Sequence, residues 1–97
     1  QERRKMNPES AEFVIHNKSG LHTRPGAVLV NIAKQFSSDI QIANVTSAGK
    51  PVNAKSLMKL MGIGVRSGHT IRVEATGEDA RKAIEAISEG IASGLGE

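Results

Sequence analysis

The sequence predicts a single small α+β domain in which three helices pack on one face of a four-stranded sheet. Three observations support this fold class. The chain has 97 residues, the length of one domain. Segments typical of strands and of helices follow one another in the order β-α-β-β-α-β-α. Each predicted helix carries one apolar stripe, so each has one face to bury against the sheet.

A strand and a helix are predicted at the start of the domain. Residues 12–16 are apolar and rich in β-formers, which predicts a strand, and the polar run 17–20 predicts a turn. A helix is predicted from Thr23 to about Phe36, with Pro25 in its first turn, where a missing N–H does no harm. The apolar face of this helix has the spacing i, i+3, i+4, i+7: Leu29, Ile32, Ala33 and Phe36.

The middle of the chain predicts two strands and a short helix. Apolar and polar residues alternate over residues 40–45, which predicts a strand, and residues 46–50 predict a hairpin-like loop. Residues 51–53 predict a short strand, because a proline is tolerated at its first position. Residues 56–61 are mostly apolar and are followed by glycines, which predicts a short helix.

The last two predicted elements are a strand and a helix. Residues 70–75 alternate between polar and apolar side chains, as in a half-buried strand. Asp79 is expected to cap the last helix. The apolar residues of that helix are spaced at 0, 3, 4, 7 and 11: Ala80, Ala83, Ile84, Ile87 and Ile91.

The charge of the chain is concentrated at its beginning. Residues 1–10 are predicted to be a linker or an added remnant, with the domain extending over residues 11–97. Residues 1–8 hold three basic residues and one acidic residue, so they account for most of the net charge of +3. The folded part is therefore close to neutral, which argues against a nucleic-acid partner.

Composition excludes other classes of protein. The chain has no cysteine, so it has no disulfide framework and no thiolate metal site, as suits a reducing cytoplasm. No apolar run approaches the roughly 18 residues that span a membrane. The basic start is not followed by an apolar run, so it does not resemble a signal peptide. We expect a cytoplasmic protein without membrane insertion.

The strongest candidate for chemistry is a histidine at the start of the first helix, within the segment GLHTRP. The N–H groups of Thr23 and Arg24 have no partner inside the helix and can hold an anion. The positive end of the helix dipole disfavours an imidazolium, and a neutral His22 is a nucleophile. Arg24 adds a fixed positive charge suited to phosphate oxygens. This segment can therefore accept a phosphoryl group and hold it.

The residues alone leave a simpler interpretation open. His22 could be a turn or N-cap residue, and Arg24 an ordinary solvated charge. One histidine and one arginine near a helix start are a common combination, so their spacing does not decide between the two interpretations.

Longer segments carry more information. GLHTRPG at residues 20–26 and NAKSLMKL at residues 53–60 are similar to two signatures of one family, and ATGEDA at residues 75–80 looks like its last strand-to-helix junction. The family is HPr, the phosphocarrier of the bacterial sugar phosphotransferase system, and the signatures are its active-site and regulatory-serine segments. The resemblance covers residues 13–91, with both signatures in the right order and at the right separation.

The resemblance implies an open-faced sandwich of four antiparallel strands with three helices on one face. It also implies that His22 is phosphorylated through Nδ1 and that Arg24 contacts the phosphate. The phosphoryl group would come from enzyme I, itself charged by phosphoenolpyruvate, and would leave to an enzyme IIA domain. The chain would then be a monomeric carrier domain rather than a complete enzyme, with no cofactor and no metal.

One loop differs from that of free-standing carriers. Residues 44–49 form a longer loop, and this loop and the GLGE end are more similar to the HPr-like domain of the fructose-inducible diphosphoryl transfer protein. In that type of protein the carrier is fused to a fructose-type enzyme IIA. We therefore expect a fructose-type enzyme IIA as partner, in the same full-length chain.

A docking surface for partners is predicted on the second helix. Leu57, Met58 and Met61 can form an exposed apolar patch, in which flexible methionines tolerate several partners. Lys55 and Lys59 can attract acidic partners to it. The alternative is that some of the apolar residues belong to the core and that the lysines are only a solvated face.

The remaining polar candidates have structural interpretations. Ser56 corresponds to the family's regulatory serine, but its expected role here is the N-cap of the short helix. His16 and His69 lack metal-ligand spacing with His22, so we expect them to be structural or exposed.

Two other functions compete with that of a carrier. An HPr-like regulatory module would act by docking alone, but such a module is favoured when the histidine is lost, and His22 is present. A small RNA-binding domain would need clustered basic residues and stacking aromatics, whereas Phe13 and Phe36 are the only aromatics.

Overall fold

The computed structural model of the protein describes residues 7–97 and has the predicted order of elements. The strands are β1 (Glu9–Val14), β2 (Asp39–Asn44), β3 (Val52–Asn53) and β4 (Thr70–Thr76). The helices are α1 (Thr23–Ala33), α2 (Leu57–Gly62) and α3 (Ala80–Ala92). Within these residues, no helix has both the length and the apolar character that crossing a membrane requires.

The four strands form one antiparallel sheet in the order β1-β4-β2-β3. The last strand of the chain therefore lies between the first two, with Phe13 opposite Ile71 and Ile42 opposite Val73. Burial alternates along β4, where residues 71, 73 and 75 are buried and residues 72, 74 and 76 are exposed. One face of the sheet thus meets the helices and the other remains open, which confirms the α+β open-faced sandwich.

Aliphatic side chains fill the space between the sheet and the helices. From α1 the core takes Leu29 and Ala33, and from α3 it takes Ala83 and Ile87. All four belong to the predicted apolar faces. The full burial of each large aliphatic side chain contributes about 1.5–3 kcal/mol. Aliphatic burial of this kind is what a chain with only two aromatic residues requires.

The ends of two elements differ from the prediction by more than one residue. Strand β1 begins at Glu9 and ends at Val14, so residues 9 and 10 are paired with β4 rather than part of an end segment. The rest of the predicted end segment, residues 1–6, lies outside the described residues. Helix α1 ends at Ala33. The N–H of Phe36 donates to the carbonyl of Ala33, three residues back, and so closes a turn that is tighter than an α-helical turn.

Asp79 does not cap α3 as predicted. It occupies the N-cap position, but its carboxylate makes no capping bond to that helix. Instead it accepts hydrogen bonds from the backbone N–H groups of Ser37 at 2.9 Å and Ser38 at 3.0 Å, and from both hydroxyls. These bonds, first that of the Ser38 hydroxyl and then that of the Ser37 N–H, lower the pKa of Asp79 to about 2. Asp79 therefore ties the α1–β2 connection to the start of α3.

Candidate active site

The loop before α1 rests on the backbone of residues 63–69. The N–H of Leu21 donates to the carbonyl of Val65 at 3.0 Å, and Leu21 itself is buried. Gly20 has φ +68°, and a Cβ at this position would lie 2.2 Å from the Val65 oxygen and 2.7 Å from Cα of Arg66. Only glycine fits so close to this backbone in this conformation. The loop is therefore fixed directly before His22.

His22 occupies the N-cap position of α1 through its backbone alone. Its φ and ψ of −75° and −172° are extended, and its carbonyl accepts the N–H of Gly26 at 2.8 Å. The imidazole makes no capping bond, and 41% of its side-chain surface is exposed. The ring is thus available for chemistry, while the N–H groups of Thr23 and Arg24 lie in the first turn, before any intrahelical acceptor.

A carboxylate that the sequence analysis did not identify contacts the histidine ring. Nε2 of His22 lies 2.9 Å from one oxygen of Glu97, and the amide nitrogen of Asn17 donates to the other oxygen at 2.8 Å. The Asn17 bond is the main cause that lowers the pKa of Glu97, and His22 and Arg24 lower it further. Asn17 also donates to the carbonyl of Gly94 at 2.9 Å, which anchors this arrangement.

The Glu97 contact determines which ring nitrogen is available. An ionised carboxylate can only accept hydrogen bonds, so the proton of the contact must be on Nε2. In a neutral ring this leaves the lone pair on Nδ1. Nδ1 is the nitrogen that the resemblance implies as the phosphorylated one. No local pattern could have revealed this contact, because the two residues are 75 positions apart.

Arg24 lies in the first turn of α1 with an exposed side chain. Within residues 7–97 no carboxylate forms an ion pair with it. Its positive charge nevertheless acts on Glu97, whose pKa it helps to lower. Arg24 and His22 therefore act on the same carboxylate, and the guanidinium has donors available for an anion.

Helix α2 packs against the first turn of α1. A Cβ at Gly26 would lie 2.6 Å from Cε of Met61 and 3.4 Å from Cδ1 of Leu57, so these two side chains reach the helix turn that follows His22. Both are half-buried, whereas Met58 is 84% exposed. Leu60 is 1% exposed and belongs to the core, as the alternative interpretation of this helix allowed.

The polar residues around α2 have separate positions. The hydroxyl of Ser56 accepts the N–H of Lys59 at 3.3 Å, so Ser56 is the N-cap of α2. The side chain of Lys59 is exposed. The ammonium of Lys55 donates to the carbonyl of Phe36 at 2.7 Å, beyond the far end of α1. His22 lies at the opposite end of α1, which is roughly 16 Å long at 1.5 Å per residue. The structure therefore does not bring the Lys55 ammonium to His22.

The other two histidines make no hydrogen bond to His22 or Glu97. His16 is exposed, and His69 is half-buried, with its Nδ1 hydrogen-bonded to Asn44 and to the backbone N–H of Arg66. Among the residues that the structure describes, no three metal-ligating side chains are grouped together. One basic residue was missed by the sequence analysis: the backbone of Arg66 packs against Gly20, and its side chain is exposed beside the loop.

Sequence comparisons identify relatives of the whole domain. Residues 9–93 match the family model described as PTS HPr component phosphorylation site. The multiphosphoryl transfer protein of Salmonella typhimurium is 54% identical over 88 residues, and that of Haemophilus influenzae is 52% identical over 85 residues. These matches cover 91% and 88% of the chain, but only 23% and 17% of the relatives.

Solved structures are similar in fold over nearly their whole length. HPr-C-His from Thermoanaerobacter tengcongensis has a TM-score of 0.85 and 40% identity, covering 92% of this chain and 97% of that one. The phosphocarrier protein HPr from Bacillus anthracis has a TM-score of 0.79 and 34% identity, covering 87% and 96%. With the histidine at the helix start and the matching fold, the chain belongs to the HPr family of phosphocarriers of the phosphotransferase system.

Proposed function

We propose that His22 accepts a phosphoryl group from phospho-enzyme I and passes it to an enzyme IIA domain. One observation carries this proposal: the Glu97 carboxylate engages Nε2 and leaves the lone pair of a neutral ring on Nδ1. The ring is exposed at a helix N-terminus, where an incoming phosphoryl group meets backbone N–H groups.

The transfer step forms an N–P bond on His22 as the bond to the donor breaks. The Nδ1 lone pair of His22 attacks phosphorus, the bond between phosphorus and the donor atom of enzyme I breaks, and that atom keeps its electron pair. The N–H groups of Thr23 and Arg24 and the Arg24 guanidinium stabilise the charge on the phosphoryl oxygens. The Glu97 carboxylate holds the Nε2 proton and supports the positive charge that the phosphorylated ring acquires.

The test of the site is phosphorylation by enzyme I and phosphoenolpyruvate, followed by intact-mass measurement. We expect one phosphoryl group, labile in acid and stable in base, on the parent protein and none on His22→Ala. His16→Ala is the matched control, since it removes an exposed histidine outside the site, and it should be labelled like the parent. Labelling of folded His22→Ala would overturn the assignment.

We further propose that the acceptor is a fructose-type enzyme IIA in the same full-length chain, and that the domain acts as a monomer in the cytoplasm. The relatives named multiphosphoryl transfer proteins, of whose length this chain spans only about a fifth, support a larger protein with several transfer sites. Phosphorylated domain should transfer to a fructose-type enzyme IIA faster than to one for another sugar. Equal rates to both would contradict the fructose assignment.

We also propose that partners dock on Leu57, Met58 and Met61, the α2 patch. Its position against the first turn of α1 supports this proposal, as does the exposure of Met58. Lys59 lies at the edge of the patch and can attract acidic partners, whereas Lys55 is engaged by Phe36 and contributes less. Ser56 is the N-cap of α2, so its modification by a kinase would act directly on the patch.

A further inference from the structure

The segment on which the active-site loop rests is itself held by a histidine. Residues 63–69, here called the supporting turn, contact both ends of the loop that precedes His22. At one end, the N–H of Leu21 donates to the carbonyl of Val65 at 3.0 Å. At the other end, the N–H of Ile15 donates to the carbonyl of His69 at 2.9 Å, and Gly68 donates back to Ile15 at 2.7 Å. The shape of this turn therefore determines where the loop lies.

Two N–H groups point at Nδ1 of His69. The backbone N–H of Arg66 donates to it at 3.1 Å. The same two residues are joined by a second bond, in which the backbone N–H of His69 donates to the carbonyl of Arg66 at 2.9 Å. The side-chain amide of Asn44 lies 3.1 Å from the same nitrogen. A backbone N–H can only donate, so Nδ1 must be an acceptor without a proton.

The orientation of the Asn44 amide is fixed independently. Its nitrogen also faces the carbonyls of Ile63 at 3.2 Å and Gly64 at 3.4 Å, which can only accept. Its oxygen accepts the N–H of Ser47 at 3.3 Å. Asn44 is fully buried, so each of these bonds replaces water that cannot reach it. The amide nitrogen therefore donates toward His69, and a neutral His69 carries its proton on Nε2.

We propose that His69 is a positioning residue for phosphotransfer at His22. Its Nδ1 satisfies the Arg66 N–H and engages buried Asn44, and so holds the supporting turn in the shape that receives Leu21. This inference rests on the proposed function of His22. The positioning role belongs to the acceptor atom Nδ1 rather than to the volume of the ring, and substitutions can change one without the other.

Two substitutions separate the acceptor from the bulk. His69→Asn places an oxygen on Cγ, where His69 carries Nδ1, and so retains an acceptor near the same position. His69→Leu retains a branched side chain but leaves two donors without their acceptor. We expect hydrogen exchange of the Leu21 amide to be parent-like in His69→Asn and about tenfold faster in His69→Leu, the effect of one lost hydrogen bond.

The rate of phosphoryl transfer from enzyme I should follow the same order. We expect His69→Asn within about twofold of the parent and His69→Leu slower by about five- to tenfold. A merely space-filling role would give the opposite result, since leucine fills the site better than asparagine. Parent-like exchange and transfer in His69→Leu, or equal losses in both folded variants, would overturn the inference.

The parent protein provides a test that needs no variant. The imidazole nitrogen chemical shifts of His69 should show a proton on Nε2 and none on Nδ1, with scalar coupling across the bond between the Arg66 amide and Nδ1. A proton on Nδ1 at neutral pH would overturn the inference even if His69→Leu failed to fold. Because these spectra and the exchange rates are measured without a partner, intact-mass labelling of His22 separately shows whether the proposed function holds.

Discussion

At position 20 the backbone adopts a conformation that only glycine takes without strain. We predict that Gly20→Ala lowers the free energy of unfolding by about 2 kcal/mol or more, since a positive φ and a Cβ at 2.2 Å from the Val65 oxygen both oppose it. The rate of phosphotransfer should fall as well, because the displaced loop ends at His22. Urea unfolding and the enzyme I half-reaction measure the two effects.

Gly62→Ala is the matched control for this substitution. Gly62 ends α2, its φ is not positive, and no atom lies within 4 Å of the position of an added Cβ. Its effect on the free energy of unfolding should be within about 1 kcal/mol of zero. If both alanine variants were equally stable, the close approach of Gly20 to the supporting turn would not limit the stability of the fold.

At the same scale, the sequence could predict His22 and Arg24 but not their surroundings. The signal for those two residues is local, because both lie at one helix start and belong to one signature. Glu97 reaches the ring only after α3 has returned the chain to the start of α1, 75 residues later, and Asn17 then holds the other oxygen of that carboxylate. Side-chain contacts of this separation follow from tertiary packing, and no periodicity in the sequence encodes them.

At the scale of elements, Asp79 connects two loops that the sequence analysis treated separately. We predict that Asp79→Asn lowers the melting temperature at pH 7 and flattens the loss of stability in acid. The folded pKa of about 2 lies below the ordinary value of 3.8, so the ionised carboxylate stabilises the fold fully above pH 4. This stabilisation disappears as the pH falls from 3.8 through about 2.

Thermal unfolding of the parent and variant between pH 2 and pH 7 provides the measurement for this prediction. Asp39→Asn is the control, since Asp39 is exposed and accepts one hydrogen bond, from Gln41 at 3.1 Å. Its melting curve should follow that of the parent at every pH. If the melting temperature of Asp79→Asn kept the same pH dependence as that of the parent, the hydrogen bonds from Ser37 and Ser38 to Asp79 would contribute nothing to stability.

The elements themselves were predictable, whereas their ends were not. Periodicity of apolar residues specifies α1 and α3, because each buries one stripe against the sheet. The end of α1 depends on a tight turn at Phe36, and the start of β1 depends on pairing of Glu9 with Ala75. The predicted capping role of Asp79 was wrong for the same reason, because the serines that it binds lie 42 and 41 residues away in the sequence.

At the scale of the whole molecule, the helix side and the open side of the sheet should differ in partner binding. We predict that Met58→Glu slows transfer from enzyme I and to enzyme IIA by about tenfold each, with the free energy of unfolding nearly unchanged. Met58 is 84% exposed, so its replacement would remove apolar contact and add a negative charge where we propose that acidic partners dock. Stopped-quench measurements at low and high salt would show the effect of that charge reduced by screening.

Val14→Glu is the matched control for the α2 patch. Val14 is the other exposed large apolar residue among residues 7–97, and it lies on the open face of the sheet. It should leave both transfer rates unchanged. Equal slowing by the two glutamates would indicate an effect of net charge alone, and parent-like rates for Met58→Glu would place docking elsewhere.

The position of β4 has a consequence for synthesis of the chain. This strand is the second to last element, yet β1 and β2 both pair with it rather than with each other. A ribosome therefore releases the histidine segment long before the sheet that supports it can close, and the nascent domain must wait for residues 70–76. Folding led by such distant pairings is slow, so a partly made chain exposes His22 before the sheet and the supporting turn have fixed its position.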